Sequence, residues 1–472
     1  MKDRNKRRFN SKSESSYSDA QAKESLDNNR SSNQHRGHTL IFDDGSIQFR
    51  LRLVVSILSH RPLLMRNIRS DDVEAPGLRE HEASFLRLLD RMTNGSVVEI
   101  NSTGTQLRFK PGVLVGGAIE HFCPINSTTT FISGQDSSET LPRSIGWFLE
   151  GVLPLACFGK EPLHLTLHGI TDGMCMYDPS VDYIKTSILP TLTRFGIGTN
   201  EDYGPPPSII VLQRFALGTT IESSSIISDS SKGGCVRFYC PTVKELTPID
   251  FTDTGKFKRV RGTVISLRIP PSSAARVAHS TKGLLHRLLP DVWIHTDAHT
   301  SRGNKQGVLS SGPNPSLSIC LAAESTSGVI LAAETCLDAR KQRAARNGGI
   351  SVDMDPSFTS TDADVTEKQS PSDFMLPEDL GLHGAARLLE EVRRGGCICT
   401  SAQSIAFLLM CLCPEDVSRI RIGKLSSYSV SSLRLFKTAF GVEFKIKTDV
   451  ETKTVLMSCL GSGYRNMAKA SA

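Results

Sequence analysis

His295-Thr-Asp-Ala-His299 puts three potential metal ligands within five residues, and on a strand all three side chains share one face. No fourth ligand or HExxH-type frame lies nearby, so the segment reads as a strand end running into the polar loop 300–305, and no metal is expected. Val113-Leu-Val-Gly-Gly117 and Ser231-Lys-Gly-Gly234 have the small residues a phosphate cradle needs. Neither matches a P-loop or a dinucleotide fingerprint, and tight turns account for both. No G-x-S-x-G elbow offers a serine nucleophile. The strongest charge run beyond the first 37 residues is Lys256-Phe-Lys-Arg-Val-Arg261. Strand alternation puts Lys256 and Lys258 on one face and Arg259 and Arg261 on the other, so at least one cationic face meets solvent. A polyanion or an acidic protein surface suits such a strand, and so does a solvated sheet edge, where cations discourage aggregation.

The 12 cysteines are scattered, many with apolar neighbours, and read as reduced, buried small hydrophobes. Cys397/Cys399 and Cys411/Cys413 form two C-x-C pairs, which lack the two-to-four-residue spacers usual for zinc. Neither a cofactor nor a metal is expected.

Length sets the frame that must position these residues. At 472 residues, 39% hydrophobic and 22% charged, the chain should hold two or three folded units plus tails. No apolar run reaches the ~18 residues of a membrane span, and MKDRNKRRFNSKSESS lacks a signal-peptide h-region, so neither a spanning nor a secreted chain is expected. Of the net charge of +6, residues 1–37 carry +4 (9 Lys/Arg against 5 Asp/Glu). That segment is rich in Ser, Asn, Lys and Arg and reads as a disordered basic arm, either a nuclear address, a phosphate-binding arm or a solvated tail. Residues 339–371 read as a low-complexity surface insertion, and 467–472 as a tail.

Between them runs an echo. A leucine-rich helical pattern ends at a turn and passes into a strand in Phe85–Gly95 with Ser96–Ile100, in Ser432–Gly441 with Val442–Ile446, and in Ile188–Gly196 with Ser208–Leu212. Arg61-Pro-Leu-Leu echoes Glu161-Pro-Leu-His, and Leu107-Arg-Phe-Lys-Pro111 echoes Val236-Arg-Phe-Tyr-Cys-Pro241. The expectation is an α/β protein of repeated two-layer β/α units. It is divided into a core over 38–244, a smaller inserted α/β domain over 245–334, and the rest of the core over 335–466. Within the insert, Ala274–Leu289 has helical spacing, and Leu317–Ala323 and Gly328–Ala333 read as strands.

Several stretches together resemble one family. They are Arg50-x-Arg52 before Leu53-Val-Val-Ser-Ile-Leu-Ser-His-Arg-Pro62; Ile68-Arg69 with Ala75-Pro-Gly-Leu-Arg79 and Glu82-Ala-Ser-Phe-Leu86; Phe109-Lys-Pro-Gly112 with Gly116-Gly117; Asp178-Pro-Ser-Val-Asp182; Val260-Arg-Gly262; and Leu376-Pro-Glu-Asp-Leu380. The chain resembles the RNA 3'-terminal phosphate cyclase superfamily, within it the cyclase-like branch of nucleolar ribosome-biogenesis factors. The resemblance implies repeated β/α units of the cyclase type carrying an inserted α/β domain.

Cyclases of the family use a histidine nucleophile adenylylated by ATP. Anchored on Phe440-Gly-Val-Glu-Phe444, the resemblance puts that position at Tyr428, in Lys424-Leu-Ser-Ser-Tyr-Ser429. A phenol with a pKa of about 10 is a poor replacement for imidazole, so no catalytic residue is assigned. The nucleotide-side opening is Phe42-Asp-Asp-Gly-Ser-Ile47 rather than the family's Gly/Glu-rich one, with Arg50 kept beside it. An active-site glutamine is replaced by Glu150, while another persists as Gln403. Arg50, Arg69, Glu150, Gln403 and Tyr428 are thus candidates for an anion or phosphate pocket, with internal pairing the alternative role. Lys256, Lys258, Arg259 and Arg261 are candidates for RNA or partner binding.

The resemblance implies a factor of the small-subunit processome in the nucleolus of the nucleus, needed for early pre-rRNA processing and lacking cyclase activity. Its implied partners are a nucleolar GTPase, pre-rRNA and small nucleolar ribonucleoprotein, with no membrane. The alternative is a pre-rRNA endoribonuclease using the remodelled pocket.

Overall fold

The computed structural model describes residues 39–73, 75–125, 142–173, 178–199, 204–216, 233–299, 315–337 and 376–469. The expected basic arm at 1–37 lies outside the described residues, as does the 339–371 insertion, and so do residues 470–472 of the expected tail.

Two helices read as apolar on every side. α3 (Ile145–Ala156) is buried at every position but Glu150, and α7 (Gln403–Leu412) at every position. A helix without a polar face must be enclosed, and the rest of the chain encloses these two. Three units do so, each a β-α-β-α-β-β run. The first is β1 (Leu40–Phe42), α1 (Phe49–Ser59), β2 (Leu63–Met65), α2 (Glu80–Met92), β3 (Val97–Ile100) and β4 (Leu107–Lys110). The second is β5 (Gly117–Phe122), α3, β6 (Leu163–Gly169), α4, β7 (Ser208–Gln213) and β8 (Gly234–Cys240). Its helix α4 comprises Val181–Tyr183, a π-helical turn over Ile184–Ile188, and Leu189–Arg194.

The third unit has β9 (Asp250–Phe251), α7, β14 (Val417–Ile422), α8 (Ser427–Phe440), β15 (Lys445–Asp449) and β16 (Thr454–Leu460). Their sheets run β1-β2-β4-β3, β5-β6-β8-β7 and β9-β14-β16-β15. In each, the first two strands pair in parallel and the others antiparallel. The parallel pair requires a crossover, which the first helix supplies. The helix-to-strand echoes of the sequence are α2 to β3, α4 to β7 and α8 to β15, the same step in three units. The last strand begins at Lys445 rather than Val442.

Strand chemistry sets which face each sheet buries. In β6, Leu163, Leu165 and Leu167 point inward while His164, Thr166 and His168 point outward. α8 is held at both ends: the Ser426 hydroxyl accepts the Ser429 N–H (3.0 Å), and Gly441 closes the C-terminus at φ 72°.

In the third unit, β9 and its crossover helix α7 are separated by the insert. It consists of β10 (Phe257–Leu267), α5 (Pro271–Leu285), β11 (Val292–His299), β12 (Ser316–Ser325), β13 (Ile330–Cys336) and α6 (Pro377–Arg394), with sheet order β11-β10-β12-β13. Both expected strands and the expected helix are present. The expected boundary at 334/335 is corrected, because α6 covers this sheet. Leu380, Ala385 and Leu388 of α6 share one apolar cluster with Val277 of α5 and with Val260, Ile319 and Leu321 of the sheet. Leu376–Leu380 begins the helix that completes the insert, so sequence position alone misassigned it.

The insert docks on the core through β13 and β11. Glu334 accepts the Ser180 N–H at the start of α4 (3.0 Å), the Ser316 hydroxyl donates to Asp172, and Arg214 forks onto Asp182 (2.8 and 3.1 Å) with Asp297 at 3.7 Å. Burial pushes the Glu334 carboxyl up to about 7. Asp297 thus faces Arg214, with His299 Nε2 3.0 Å away, so the end of the segment, 297–299, is a docking edge while His295 stays exposed. Among the described residues no group of three or more His, Cys, Asp or Glu is placed to hold a metal, and no helix is long and apolar enough to cross a membrane.

Gly381 lets α6 approach α5 closely, since a Cβ there would lie 2.5 Å from the Val277 carbonyl oxygen. Gly381→Ala is expected to cost about 1–3 kcal/mol through overpacking. Hydrogen exchange should then rise across α5 and α6 while α3 and α7 keep their protection. Equal loss of protection in α3 and α7 would refute α6 as part of the insert.

Candidate functional site

The first turns of α1, α7 and α8 meet beside α3 and leave a cleft between them. Arg50 enters from α1, Glu150 from α3, Thr400, Ser401 and Ser404 from the turn into α7 and its first turn, and Ser426, Tyr428 and Ser429 from the start of α8. These positions are far apart in sequence, and only the repeat of the unit brings them together.

Arg50 is fixed before any ligand arrives. Its guanidinium donates to the Trp147 carbonyl and to Glu150 Oε2 (3.1 Å), and it lies over the Trp147 ring at 4.4 Å. Glu150 is the one polar residue of an otherwise apolar helix. Its burial outweighs the attraction of Arg50 and raises the carboxyl to about 6. Tyr428 is half-buried beside the same pair, and desolvation pushes its phenol up to about 12. At neutral pH it is a neutral hydrogen-bonding group and not a phenolate nucleophile.

Of the five pocket candidates, the structure brings Arg50, Glu150 and Tyr428 to the cleft. Gln403 is not on the cleft wall. It is buried behind it, donating to the Lys424 carbonyl (3.0 Å) and accepting from the Ser429 hydroxyl (2.8 Å), so that it braces the start of α8. Arg69 also stands apart, with its guanidinium on Glu82 and on the Gly77 carbonyl (3.0 Å), at a backbone φ of 45°. Its link to the cleft is indirect. His81 packs edge-on against Trp147 (4.9 Å), and burial, with Arg143, Arg69, Arg50 and Arg79 around it, holds its imidazole well below the usual range.

The sequence reading missed His81, Arg79 and Arg143, together with the hydroxyls of Ser401 and Ser404. Arg79 lay in a motif already noted, yet its pairing with Asp72 (2.7 Å), and that of Arg143 with Asp178 (3.0 Å), are visible only in three dimensions. Each arginine of this group, like Arg50 and Arg69, already faces a carboxylate.

The cation-rich strand also differs from expectation. β10 is not an edge: it lies between β11 and β12. Arg261 makes a forked pair with Asp291 (2.8 and 2.8 Å), and Arg259 (2.7 Å) and Lys258 (3.2 Å) share Glu324. Lys256 is exposed.

This architecture has counterparts. The model of the RNA 3'-terminal phosphate cyclase matches residues 41–207, and that of the cyclase insert domain matches residues 252–393. The chain belongs to the RNA 3'-terminal phosphate cyclase family. Within that cyclase family it is similar to the probable RNA 3'-terminal phosphate cyclase-like protein of Dictyostelium discoideum, at 39% identity over 427 residues, 90% of this chain and 98% of that one. It is also 39% identical to the RNA 3'-terminal phosphate cyclase-like protein of Homo sapiens over 426 residues, 89% of this chain and 95% of that one. With the rRNA processing protein rcl1 of Schizosaccharomyces pombe it shares 34% identity over 421 residues, 88% of this chain and 94% of that one. The cyclase insert match begins one residue after β9 and ends inside α6, in agreement with the domain boundary drawn from packing.

In this cyclase-family cleft, Glu150 titrates abnormally, and linkage gives the sign. The folded state holds its proton more tightly than the unfolded chain, so its contribution to stability is full below pH 4.5 and is lost as pH rises through about 6. Relative to Glu150→Gln, the wild type should lose on the order of 2 kcal/mol from well below pH 4.5 to well above pH 6, one pKa unit being worth about 1.4 kcal/mol. Urea midpoints at both pH values read the difference, and a constant gap would show that the carboxyl titrates normally.

Proposed function

We propose that this chain is an rRNA-processing factor that keeps the cyclase frame without cyclase chemistry. The observation that carries this is the state of the cleft. Where the family resemblance expects an imidazole nucleophile, a partly buried phenol held protonated faces Arg50 and Glu150. Adenylylation needs an atom that attacks a phosphoanhydride near neutral pH, and a phenol raised to about 12 does not supply it. The names of the relatives, cyclase-like protein and rRNA processing protein, support the same reading.

The finer reading is a nucleolar factor of the small-subunit processome, acting early on pre-rRNA with a nucleolar GTPase and a small nucleolar ribonucleoprotein. The cleft keeps a use in it. Arg50, whose guanidinium keeps N–H groups beyond those on Trp147 and Glu150, and the Ser401 hydroxyl, which can accept from Tyr183 and so keep its own proton, offer donors to a phosphate or a similar anion, held without turnover.

A second reading, an endoribonuclease, rests on Glu150, whose carboxyl at about 6 is near the pH at which a general acid or base works. No second titrating group of suitable value lines the cleft among the described residues, which favours the first reading.

Two assays test these. Purified protein incubated with labelled ATP and a 3'-phosphorylated RNA should acquire no covalent AMP and form no cyclic phosphate; label on the protein would overturn the non-cyclase reading. Affinity purification from nuclear extract should recover a GTPase and pre-rRNA, and recovery of neither would remove the processing role. RNA cleavage by the purified wild type, abolished in Glu150→Gln, would establish the second reading instead.

A further inference from the structure

The chain has two tryptophans, and the structure treats them oppositely. Trp147 is buried beneath Arg50, whereas Trp293 is 67% exposed at the second position of β11. Strand alternation explains its direction. Val292 and Ile294 point into the apolar cluster under α5 and α6, so Trp293 projects from the opposite face of the insert sheet. That face has two halves. Cys320, Ala322 and Ala332 of β12 and β13 pack into the large core, and Ile265 and Asp297 meet it farther along β10 and β11, while the start of β10 and β11 around Arg261 and Trp293 is open.

On the open half the register sets Arg261 directly opposite Trp293, and Thr263 opposite His295. Arg259 follows along β10; a bulge between Phe257 and Arg259 breaks the alternation there, so that Lys258 reaches the same Glu324 as Arg259, and exposed Lys256 lies just before the strand. Four cations here meet two carboxylates, Asp291 and Glu324. The Arg261–Asp291 pair is solvent-exposed on both sides (42% and 53%), and exposed pairs of this kind contribute little, so a phosphate can take the carboxylate's place at small cost.

We propose that this open half-face is a landing surface for single-stranded RNA, in which Trp293 stacks a base while Arg261, Arg259, Lys258 and Lys256 take phosphates. The inference deepens the rRNA-processing reading by naming where RNA touches the chain. Charge and surroundings favour RNA over a protein. The face carries excess positive charge, and the residues that register and alternation set beside Trp293 on it, Arg261, Thr263, His295 and the Asp291 paired with Arg261, are polar, whereas a tryptophan anchoring a protein interface is ringed by residues that exclude water. An exposed aromatic ring beside cations matches the way unpaired strands are held, one π-face per unstacked base.

The test uses the full chain and an oligouridylate of about twelve nucleotides, within the usual range of single-strand site sizes. Trp147 is buried, so Trp293 dominates the solvent-sensitive emission, and a Trp293→Phe variant assigns it. Quenching on titration is expected. Affinity should drop about tenfold in Trp293→Ala and be largely kept in Trp293→Phe, as loss of one stacked base predicts. The double variant Lys256→Ala/Lys258→Ala should reduce the slope of log affinity against log salt by about 2.

Equal affinity of Trp293→Ala and wild type would overturn the proposal, as would tighter binding of a duplex of the same length. So would quenching by a polyglutamate peptide where the RNA gives none, which would assign the face to an acidic protein segment. Failure here is distinct from failure of the processing role. If Trp293→Ala still recovers pre-rRNA from nuclear extract, the factor acts on RNA through another surface. If oligonucleotide binding is confirmed but nuclear purification brings neither pre-rRNA nor a GTPase, the surface stands and the processing role falls.

Discussion

Enclosing α3 and α7 is the constraint on which the rest of the structure depends. Two helices with apolar residues on every side cannot lie at a surface, and no single two-layer unit has enough sheet to bury both. Three copies of one unit solve the problem by turning their helices inward and their sheets outward. Each copy repeats the same order of parallel and antiparallel strands because each faces the same requirement. The insert enters between β9 and α7, where a parallel crossover already needs a long connection. It brings its own apolar cluster on one face of its sheet, and with Cys320, Ala322, Leu331 and Ala332 it also adds to the enclosure of the core.

That constraint also makes the cleft. The helices converge with their first turns together, and a junction of helix starts needs polar groups whatever chemistry it later performs. Gln48 shows the point: its amide donates to the Tyr428 carbonyl (3.3 Å) and the Ser432 hydroxyl (3.0 Å), tying α1 to α8. Gln403 and Ser426 serve the same junction from the other side. Polar residues at this place are therefore retained for assembly as well as for catalysis. A phenol can stand at the position the resemblance assigns to the nucleophile without loss of the surrounding network, because that network is built on backbone carbonyls, hydroxyls and amides.

Much of the fold was legible because its signals are local. The echo of Arg61-Pro-Leu-Leu with Glu161-Pro-Leu-His marks β2 and β6, and that of Leu107-Arg-Phe with Val236-Arg-Phe marks β4 and β8, equivalent strands of two units. Periodicity found the insert's strands and α5. It did not find the owner of α6, since the apolar stripe of Leu380, Ala385 and Leu388 looks the same whichever sheet it covers. At the cleft, residue types were legible but partners were not. Gln403 and Arg69 carry the right chemistry for an anion pocket, yet the loop at Lys424–Ser429 claims one and Glu82 the other.

The cations of β10 show the same division between type and partner. A sequence displays Lys256, Lys258, Arg259 and Arg261 as one block of charge, but their carboxylates arrive from 30 and 65 residues downstream, through sheet pairing. Half the charge is thereby neutralised before any partner binds, and what remains is a surface of moderate positive potential. Trp293 changes the meaning of that remainder. Alternation along Val292-Trp-Ile294 was readable as one ring pointing away from two buried side chains, but only pairing with β10 shows that the ring stands across from Arg261. An aromatic face flanked by exchangeable ion pairs gains affinity from stacking and phosphate contact together, while either alone would be weak. The proposed contact with a single strand would therefore draw on both, and would be indifferent to base sequence.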